Sequence, residues 1–253
     1  INAGLVGSEM CIRDSPKGII IDTYMTQELH YNQIPIDFRF FTVKTFDNFI
    51  IGENKKLYIS LQNIIDTDQL ILIYGNKSSG KTHICEALCN TYLDSVTLID
   101  SKSKLSNLVS LDFYELLVID DLDKLISSKQ DEESLFNLIN NQILYKKPVV
   151  ISSSKDVNDC GIQLKDLSSR LLSDKIFTIS DLSDSDKIDM MTFYCSQRGL
   201  EIHEKVLQYI MNNCSRDLYF LCALIKNLDK VSLSMRRKIT IPFIKKVITL
   251  HND

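Results

Sequence analysis

Short apolar runs alternate with amphipathic segments through the middle of the chain. Runs with the character of buried strands are predicted at residues 69–74, 96–100, 115–119, 148–152 and 175–179. Helical periodicity is predicted between them at residues 56–65, 81–93 and 131–145. Strands that alternate with helices favour an α/β fold with a parallel five-stranded sheet, because each helical crossover returns the chain to the same edge of the sheet.

The pattern changes at Ser183, where strand signals end and helical periodicity continues alone. Helices are predicted at residues 184–198, 203–213, 216–230 and 240–250. Gly199 ends the first of them, and Thr240 caps the last. We therefore expect a nucleotide-binding α/β core at residues 45–182 and a small all-helical lid at residues 183–253.

The N-terminal segment has neither pattern. Residues 1–24 are expected to be a non-native or disordered leader, because they begin with Ile and INAGLVGSEMCIRDS resembles translated linker sequence. They lack the basic start and long apolar stretch of a secretory signal. Residues 25–44 are polar and then aromatic, with Pro35 among them, and predict an extended tail.

The composition fits a globular protein, with 44% hydrophobic and 25% charged residues. Its apolar runs are too short to span a bilayer. The net charge of −4 weighs against a binder of duplex DNA, which normally carries a basic domain. Seven dispersed cysteines without C-x-x-C spacing indicate reduced thiols, so the sequence favours a cytoplasmic protein.

A phosphate-binding motif follows the first predicted strand. GNKSSGKT, residues 75–82, matches G-x-x-x-x-G-K-S/T between a buried strand and a helix, the context that this motif requires. Its glycines let backbone N–H groups point at phosphate oxygens, Lys81 would reach the β- and γ-phosphates, and Thr82 would ligate Mg²⁺. The predicted nucleotide ligands in this loop are Gly75, Ser78, Ser79, Gly80, Lys81 and Thr82.

Acidic residues end the third predicted strand, in ELLVIDDLD at residues 115–123. Ligands of open α/β sheets bind at the carboxyl edge of the strands, so Asp120 is the candidate for the Mg²⁺ shell. Asp121, one residue further on, could orient an attacking water as a catalytic residue. Asp123 is expected at the surface.

Two arginines are candidates for stabilising phosphate charge. Arg170 lies just before the fifth predicted strand, and Arg216 is predicted to open a helix. Either one, taken alone, fits an ordinary surface position. An arginine can also stabilise the charge of phosphoryl transfer, from the same subunit or from a neighbour.

The order of these motifs resembles the DnaA branch of the AAA+ proteins. TFDNFIIGEN, residues 45–54, is similar to the opening signature of that branch, which implies that Phe49 and Ile50 line the adenine side of the nucleotide. The resemblance also implies that Arg170 is the arginine finger and Arg216 the sensor 2 arginine. Ser154 departs from the pattern, since this branch carries Asp there in sensor 1, and the departure weighs against γ-phosphate sensing.

Within that branch the chain resembles the Hda family of regulatory inactivators. LSDSDKIDMMTFYCSQRGLEI and RRKITIPFIKKVITL are similar to the lid and the ending of that family. QIPIDF, residues 33–38, is similar to its clamp-binding hexapeptide, and the residues implied to enter the clamp pocket are Gln33, Ile34, Ile36 and Phe38. A tail that packs on its own domain is the alternative for these six residues.

The resemblance implies an ADP-bound regulator that uses Mg²⁺ and that, with the DNA-loaded sliding clamp of DNA polymerase III, stimulates ATP hydrolysis by the DnaA initiator. Contact with DNA would then be indirect, and a homodimer is left open. Two alternatives remain at this stage: a helicase loader of the DnaC kind and a self-contained AAA+ ATPase. Asp121 leaves weak intrinsic hydrolysis open as well.

Overall fold

The computed structural model describes residues 43–103, 105 and 114–249. Its strands are β1 (Leu70–Tyr74), β2 (Val96–Ile99), β3 (Leu116–Ile119), β4 (Val149–Ser153) and β5 (Lys175–Thr178). They form one sheet in the order β2-β3-β4-β1-β5, and every pairing in it is parallel. The predicted five-stranded parallel sheet is therefore confirmed.

Helices cover both faces of the sheet. In chain order they are α1 (Lys55–Gln62), α2 (Lys81–Thr91), α3 (Leu122–Leu125), α4 (Lys129–Leu144) and α5 (Lys165–Leu171). Leu57 and Leu88, from α1 and α2, pack with Ile71 on one face, while Leu135 and Leu167, from α4 and α5, belong to the core of the other face. Burial on both faces explains why β1 and β3, and β4 as far as Ile151, read as continuous apolar runs rather than as alternating ones.

Four further helices follow the sheet: α6 (Asp184–Gln197), α7 (Glu204–Asn213), α8 (Leu218–Met235) and α9 (Ile241–Thr249). They bury a core of their own, which includes Met191, Leu207, Ile210, Ile225 and Ile244. Gly199 follows α6 with a φ of 65°, a backbone conformation that glycine adopts without steric cost.

Sequence periodicity missed two short helices and misplaced several boundaries, including the end of α8, which is Met235 rather than residue 230. The four residues of α3 and the seven of α5 are too few to show a period against a polar background. The prediction that Arg216 opens a helix is wrong, because Asp217 caps α8 through its side chain and Arg216 precedes the cap.

Polar contacts join the sheet to the four-helix part. Asn54 is 5% exposed, and its side chain both donates to Ser180 O (3.1 Å) and accepts from Ser180 N (2.7 Å). Asn76 of the phosphate loop donates to Asp181 Oδ2 at 2.9 Å. The segment between β5 and α6 is thereby held against the carboxyl edge of the sheet, where the phosphate loop lies.

Candidate nucleotide-binding site

The phosphate loop leaves β1 at Tyr74 and wraps back on itself to begin α2. Ser78 has a φ of 65°, and Gly80, the residue that caps α2, has a φ of 103°. Gly75 has no room for a side chain, because a Cβ there would lie 2.4 Å from Ile179 Cγ2 and 2.9 Å from Ile179 O. The loop is therefore built from residue types that permit close backbone approach to an anion at a helix N-terminus.

Two polar groups in this loop fit a polyphosphate. Lys81 is 5% exposed, and its Nζ donates to Gly75 O at 2.8 Å and to Asn76 O at 2.7 Å. The Ser79 Oγ is buried and has no hydrogen-bond partner among the residues that the structure describes. Buried polar groups normally have partners, so a cationic donor and an unsatisfied hydroxyl in one loop suit an anionic ligand.

Three carboxylates act on the Lys81 ammonium. Burial lowers the pKa of Lys81, and the negative charges of Asp121, Asp123 and Asp120 oppose that shift. An ammonium beside carboxylates provides both signs of charge that a complex of Mg²⁺ and phosphate requires: cation for phosphate, oxygen ligands for metal.

Asp120 is held in place by β4. The pairing of Ile119 with Ile151 sets Asp120 beside Ser152, whose hydroxyl donates to Asp120 Oδ1 and accepts from Asp121 N at 3.0 Å. Asp120 is 6% exposed and Ser152 is fully buried. The Ser152 hydroxyl therefore orients the acid that follows β3. Thr82, in the first turn of α2, is exposed.

Asp121 and Asp123 make different side-chain contacts from those of Asp120. Asp121 has a left-handed backbone (φ 57°) at the start of α3, and its carboxylate is 2.5 Å from Lys124 Nζ. The expectation that Asp123 lies at the surface is wrong in part. Asp123 is partly buried and accepts from Ser154 N at 2.8 Å, which fixes the end of β4.

Phe49 and Ile50 are both partly buried, and Phe49 lies beside the phosphate loop. The Phe49 Cε2 would be 3.3 Å from a Cβ built on Gly80, and the Phe49 and His83 rings meet edge to face at 5.4 Å. Phe49 therefore forms a wall where α2 begins.

Arg216 belongs to the four-helix part and faces α6. Its Nη1 is 2.6 Å from Asp184 Oδ2, and its Nε donates to Met211 O. Asp186, two residues after Asp184, lies against the backbone of Gly52, where a Cβ would be 3.3 Å from its Oδ2. Arg216 is thus anchored to the first residue of α6, the helix whose Asp186 meets Gly52.

Arg170 lies at the opposite edge of the sheet. It is in the last turn of α5, and Asp174, shortly after it, accepts from Leu70 N at the beginning of β1. The phosphate loop begins at the other end of β1, after Tyr74. The four steps from Leu70 to Tyr74 span about 13 Å along the strand. The Arg170 Nε donates to Asn140 Oδ1 at 3.1 Å, so α4 orients the guanidinium.

Ser152, Asn54 and Ile179 are parts of the site that sequence reasoning missed. Ser152 stood out only as a hydroxyl in an apolar strand, and its partner is 32 residues away. Asn54 and Ile179 act through contacts with Ser180 and Gly75 that no local pattern encodes. The two serines that end β4, in a run otherwise apolar, were the available signal.

Gln33, Ile34, Ile36 and Phe38, the residues expected to bind the clamp, lie outside the described residues, as do the leader and most of the tail. Within residues 43–249, as far as they are described, no helix is long and apolar enough to cross a membrane.

Comparisons with known proteins agree with this arrangement. A family model described as "Hda, lid domain" matches residues 184–248, and one described as "Novel STAND NTPase 3" matches residues 54–197. An uncharacterized protein of Haemophilus influenzae is 32% identical over 228 residues, which are 86% of this chain and 99% of that protein.

Solved structures share the fold. Domain III of the replication initiation protein DnaA from Thermotoga maritima aligns with a TM-score of 0.70 and 21% identity, over 79% of this chain and 93% of that one. AMPPCP-bound DnaA from Aquifex aeolicus aligns with a TM-score of 0.63 and 22% identity, over 73% of this chain and 64% of that one.

A parallel sheet with a phosphate loop after β1 and an acid after β3, followed by a helical lid, defines a P-loop NTPase of the AAA+ class. The core matches the family described as novel STAND NTPase 3, and the Haemophilus influenzae protein is a relative over nearly its whole length. With the Hda lid at its C-terminal part, the chain belongs to the Hda/DnaA type of AAA+ proteins.

Proposed function

We propose that this chain regulates the initiation of bacterial DNA replication in the cytoplasm. It binds an adenine nucleotide and, with the DNA-loaded sliding clamp, stimulates ATP hydrolysis by DnaA. The Hda-type lid at residues 184–248 supports the proposal through the family. The observation that carries it is the position of Arg170 at the amino edge of the sheet, at the opposite end of β1 from the phosphate loop of the same chain.

Arg170 suits a partner's nucleotide better than its own. Arg170 lies shortly before β5, at the amino edge of the sheet, whereas Gly75 and Lys81 lie at the carboxyl edge. The bond from Nε to Asn140 fixes the plane of the guanidinium, and its two terminal nitrogens make no hydrogen bond with the residues that the structure describes. In this proposal Arg170 reaches the γ-phosphate of DnaA and stabilises the charge that develops during hydrolysis, an effect worth roughly 10³–10⁵ in rate.

The chain's own nucleotide, ADP in this proposal, has a structural role. Lys81 and the N–H groups of the loop bind its phosphates, and Thr82 and Asp120 would hold Mg²⁺, which offsets phosphate charge when bound. Phe49 and Ile50 take the base side, and Arg216 closes the site from the lid. Since Asn76 of this loop already bonds Asp181 before α6, a bound nucleotide would set the angle between core and lid.

Intrinsic hydrolysis is expected to be weak. Asp121 is the acid that could orient a water, but its carboxylate is 2.5 Å from Lys124 Nζ. That pair is partly exposed and contributes only about 1 kcal/mol or less, so it opposes water orientation weakly. Ser154 in place of the sensor 1 Asp is the feature that favours an activator of another ATPase over a motor.

The sliding clamp enters the proposal through residues 33–38. An extended segment can place Gln33, Ile34, Ile36 and Phe38 into a pocket of the clamp. Binding to a clamp that is already loaded on DNA would then bring Arg170 close to DnaA.

The test is hydrolysis of DnaA-bound ATP in the presence of this protein, ADP, sliding clamp and DNA. The wild type should accelerate hydrolysis, and both Arg170→Ala and Gln33→Ala should lose the acceleration. Arg170→Ala should still bind the clamp, which separates the two sites. Arg237→Ala removes an exposed arginine of the lid and serves as the matched control, with stimulation retained.

Three results would contradict the proposal. If Arg170→Ala still stimulates hydrolysis, Arg170 is not the arginine that acts on the nucleotide of DnaA. A wild type without effect on DnaA that hydrolyses ATP alone would favour a self-contained ATPase. One that instead binds the replicative helicase would favour a helicase loader.

A further inference from the structure

Residues 43–49 form a strap that runs along α2, the helix after the phosphate loop. One face of α2 holds it through His83, Glu86 and Asn90, whose spacing of three and four residues aligns them along the helix. Glu86 Oε1 pairs with Lys44 Nζ at 2.7 Å, and Asn90 Nδ2 donates to Lys44 O at 2.8 Å.

His83 makes the contact nearest the phosphate loop. Its Nε2 is 3.1 Å from Thr45 O, and its ring meets the ring of Phe49 at 5.4 Å. Because a carbonyl oxygen can only accept, Nε2 carries the hydrogen. His83 therefore touches the strap at both ends of the turn at Phe46–Asn48.

The turn between those two contacts is internally braced. Thr45 N donates to Asn48 Oδ1 at 2.8 Å, and Asn48 Nδ2 donates to Val43 O at 2.7 Å. Because these bonds make the turn rigid, the position of Thr45 determines the position of Phe49. The place of Phe49 beside Gly80 consequently depends on how the strap is attached to α2.

The contacts of the strap differ in strength. The Lys44 and Glu86 side chains are 36% and 43% exposed, so their pairing contributes little. His83 is more enclosed, and burial lowers the pKa of its imidazole, with the bond to Thr45 opposing the shift and the charge of Lys44 adding to it. His83 contacts the strap twice, through the Thr45 carbonyl and through the Phe49 ring, so it is the contact whose loss should matter most.

We propose that His83 is a positioning residue for the base side of the nucleotide site. By holding Thr45 O and abutting Phe49, it fixes the wall against which the base of a purine nucleotide packs. The inference rests on the proposed nucleotide binding and adds a residue two positions after the phosphate-binding Lys81.

A binding experiment with two probes distinguishes base from phosphate. The dissociation constants of ADP and of inorganic pyrophosphate, each with Mg²⁺, are measured by calorimetry for the wild type, His83→Leu and His83→Asn. Both variants lose the contact with Thr45, since the asparagine amide is too short to reach it. ADP binding should weaken by about 5- to 10-fold, the size of one net hydrogen bond with its packing, and pyrophosphate binding should stay within about twofold.

Two further variants sharpen the result. His83→Gln carries an amide nitrogen that can reach Thr45 O, so ADP binding should return to within about threefold of the wild type. His203→Leu makes the same substitution at an exposed position before α7 and should bind both probes as the wild type does.

The outcomes separate this inference from the function on which it rests. A wild type that binds neither probe would overturn the nucleotide-binding proposal itself. A wild type that binds ADP, with both variants unchanged, would overturn only the role of His83. Equal weakening of ADP and pyrophosphate in His83→Asn would also overturn it, because the residue would then act on the phosphate loop rather than on the base side.

Discussion

The charged groups at the two edges of the sheet differ in burial and in hydrogen bonding. At the carboxyl edge Lys81, Asp120 and Ser152 are at least 94% buried and are bonded to the protein's own backbone and side chains. At the amino edge Arg170 is partly exposed, and its guanidinium donates to the Asn140 side chain. A buried, satisfied array is suited to enclosing a ligand, whereas a surface arginine held in one orientation is suited to a partner.

This difference follows from the chemistry of each position. Burying charge is costly unless it is paired, so an ammonium, a carboxylate and a hydroxyl at the carboxyl edge stabilise one another. A guanidinium remains charged at any physiological pH and tolerates partial exposure, so one hydrogen bond suffices to orient it. Substitutions at the two edges and in the helices beside them test this contrast.

Lys81→Ala should have the largest effect, confined to the carboxyl edge. Loss of the charge-assisted bonds to phosphate should weaken ADP binding by about 100-fold, as measured by calorimetry. Lys175→Ala, which removes an exposed lysine at the amino edge, is the matched control and should bind ADP normally. If ADP binding weakened equally in both variants, the nucleotide site would not be specific to the carboxyl edge.

Glu132→Ala should lower the free energy of unfolding by about 2 kcal/mol, because two backbone donors before α5 lose their buried acceptor. The Glu132 carboxylate is 3% exposed and accepts from Gln163 N and Leu164 N just before α5. Glu133→Ala, at an exposed ion pair with Lys129, should change it by less than about 0.5 kcal/mol. Urea denaturation measures both, and similar values for the two would contradict the role of Glu132.

Ser152→Ala should cost about 1 kcal/mol of stability, since Asp120 and Asp121 N lose a shared hydroxyl. ADP binding with Mg²⁺ should weaken more than binding without it, because Asp120 is then free to rotate. Ser168→Ala removes a hydroxyl on α5 that bonds only the preceding turn and should leave both unchanged. An unchanged Mg²⁺ dependence in Ser152→Ala would argue against Asp120 as a ligand.

His83 should give the smallest effect, a loss of stability on mild acidification. Its pKa in the folded protein lies below the ordinary value of 6.5, chiefly because of burial. Below that pH the unfolded chain takes up a proton that the folded chain resists, so the stabilisation present above pH 6.5 is lost as pH falls through the folded pKa. Unfolding free energies measured between pH 7.5 and pH 5 should show a smaller slope in His83→Gln than in the wild type.

Much of the fold could be predicted because its signals are local. Each buried strand is a run of adjacent apolar residues, and the phosphate motif occupies eight consecutive positions after one of them. The helix α3 escaped prediction because a four-residue helix has no period to detect. The start of α8 was misplaced because Arg216 and the true cap, Asp217, are neighbours, and only the side-chain bond to Phe220 N distinguishes them.

The candidate site was predictable in its residue types and not in its connections. Lys81 and Asp120 were found from motif and strand end, but the bond from Ser152 to Asp120 depends on which strand lies next to β3. His83 gave no signal, since its partner Thr45 is 38 residues earlier in the chain. Such contacts follow from strand order and register, which local periodicity does not contain.

The order of amino acids along the chain is enough to specify an α/β core with a phosphate loop, an acid at the end of a buried strand, and a helical continuation. Those features arise from short-range patterns of burial and backbone freedom. The packed fold was needed to establish the order β2-β3-β4-β1-β5, the strap along α2, and the position of Arg170 at the edge away from the phosphate loop. These depend on how distant segments pack to bury both faces of one sheet, and that choice is made by the whole core rather than by any single segment.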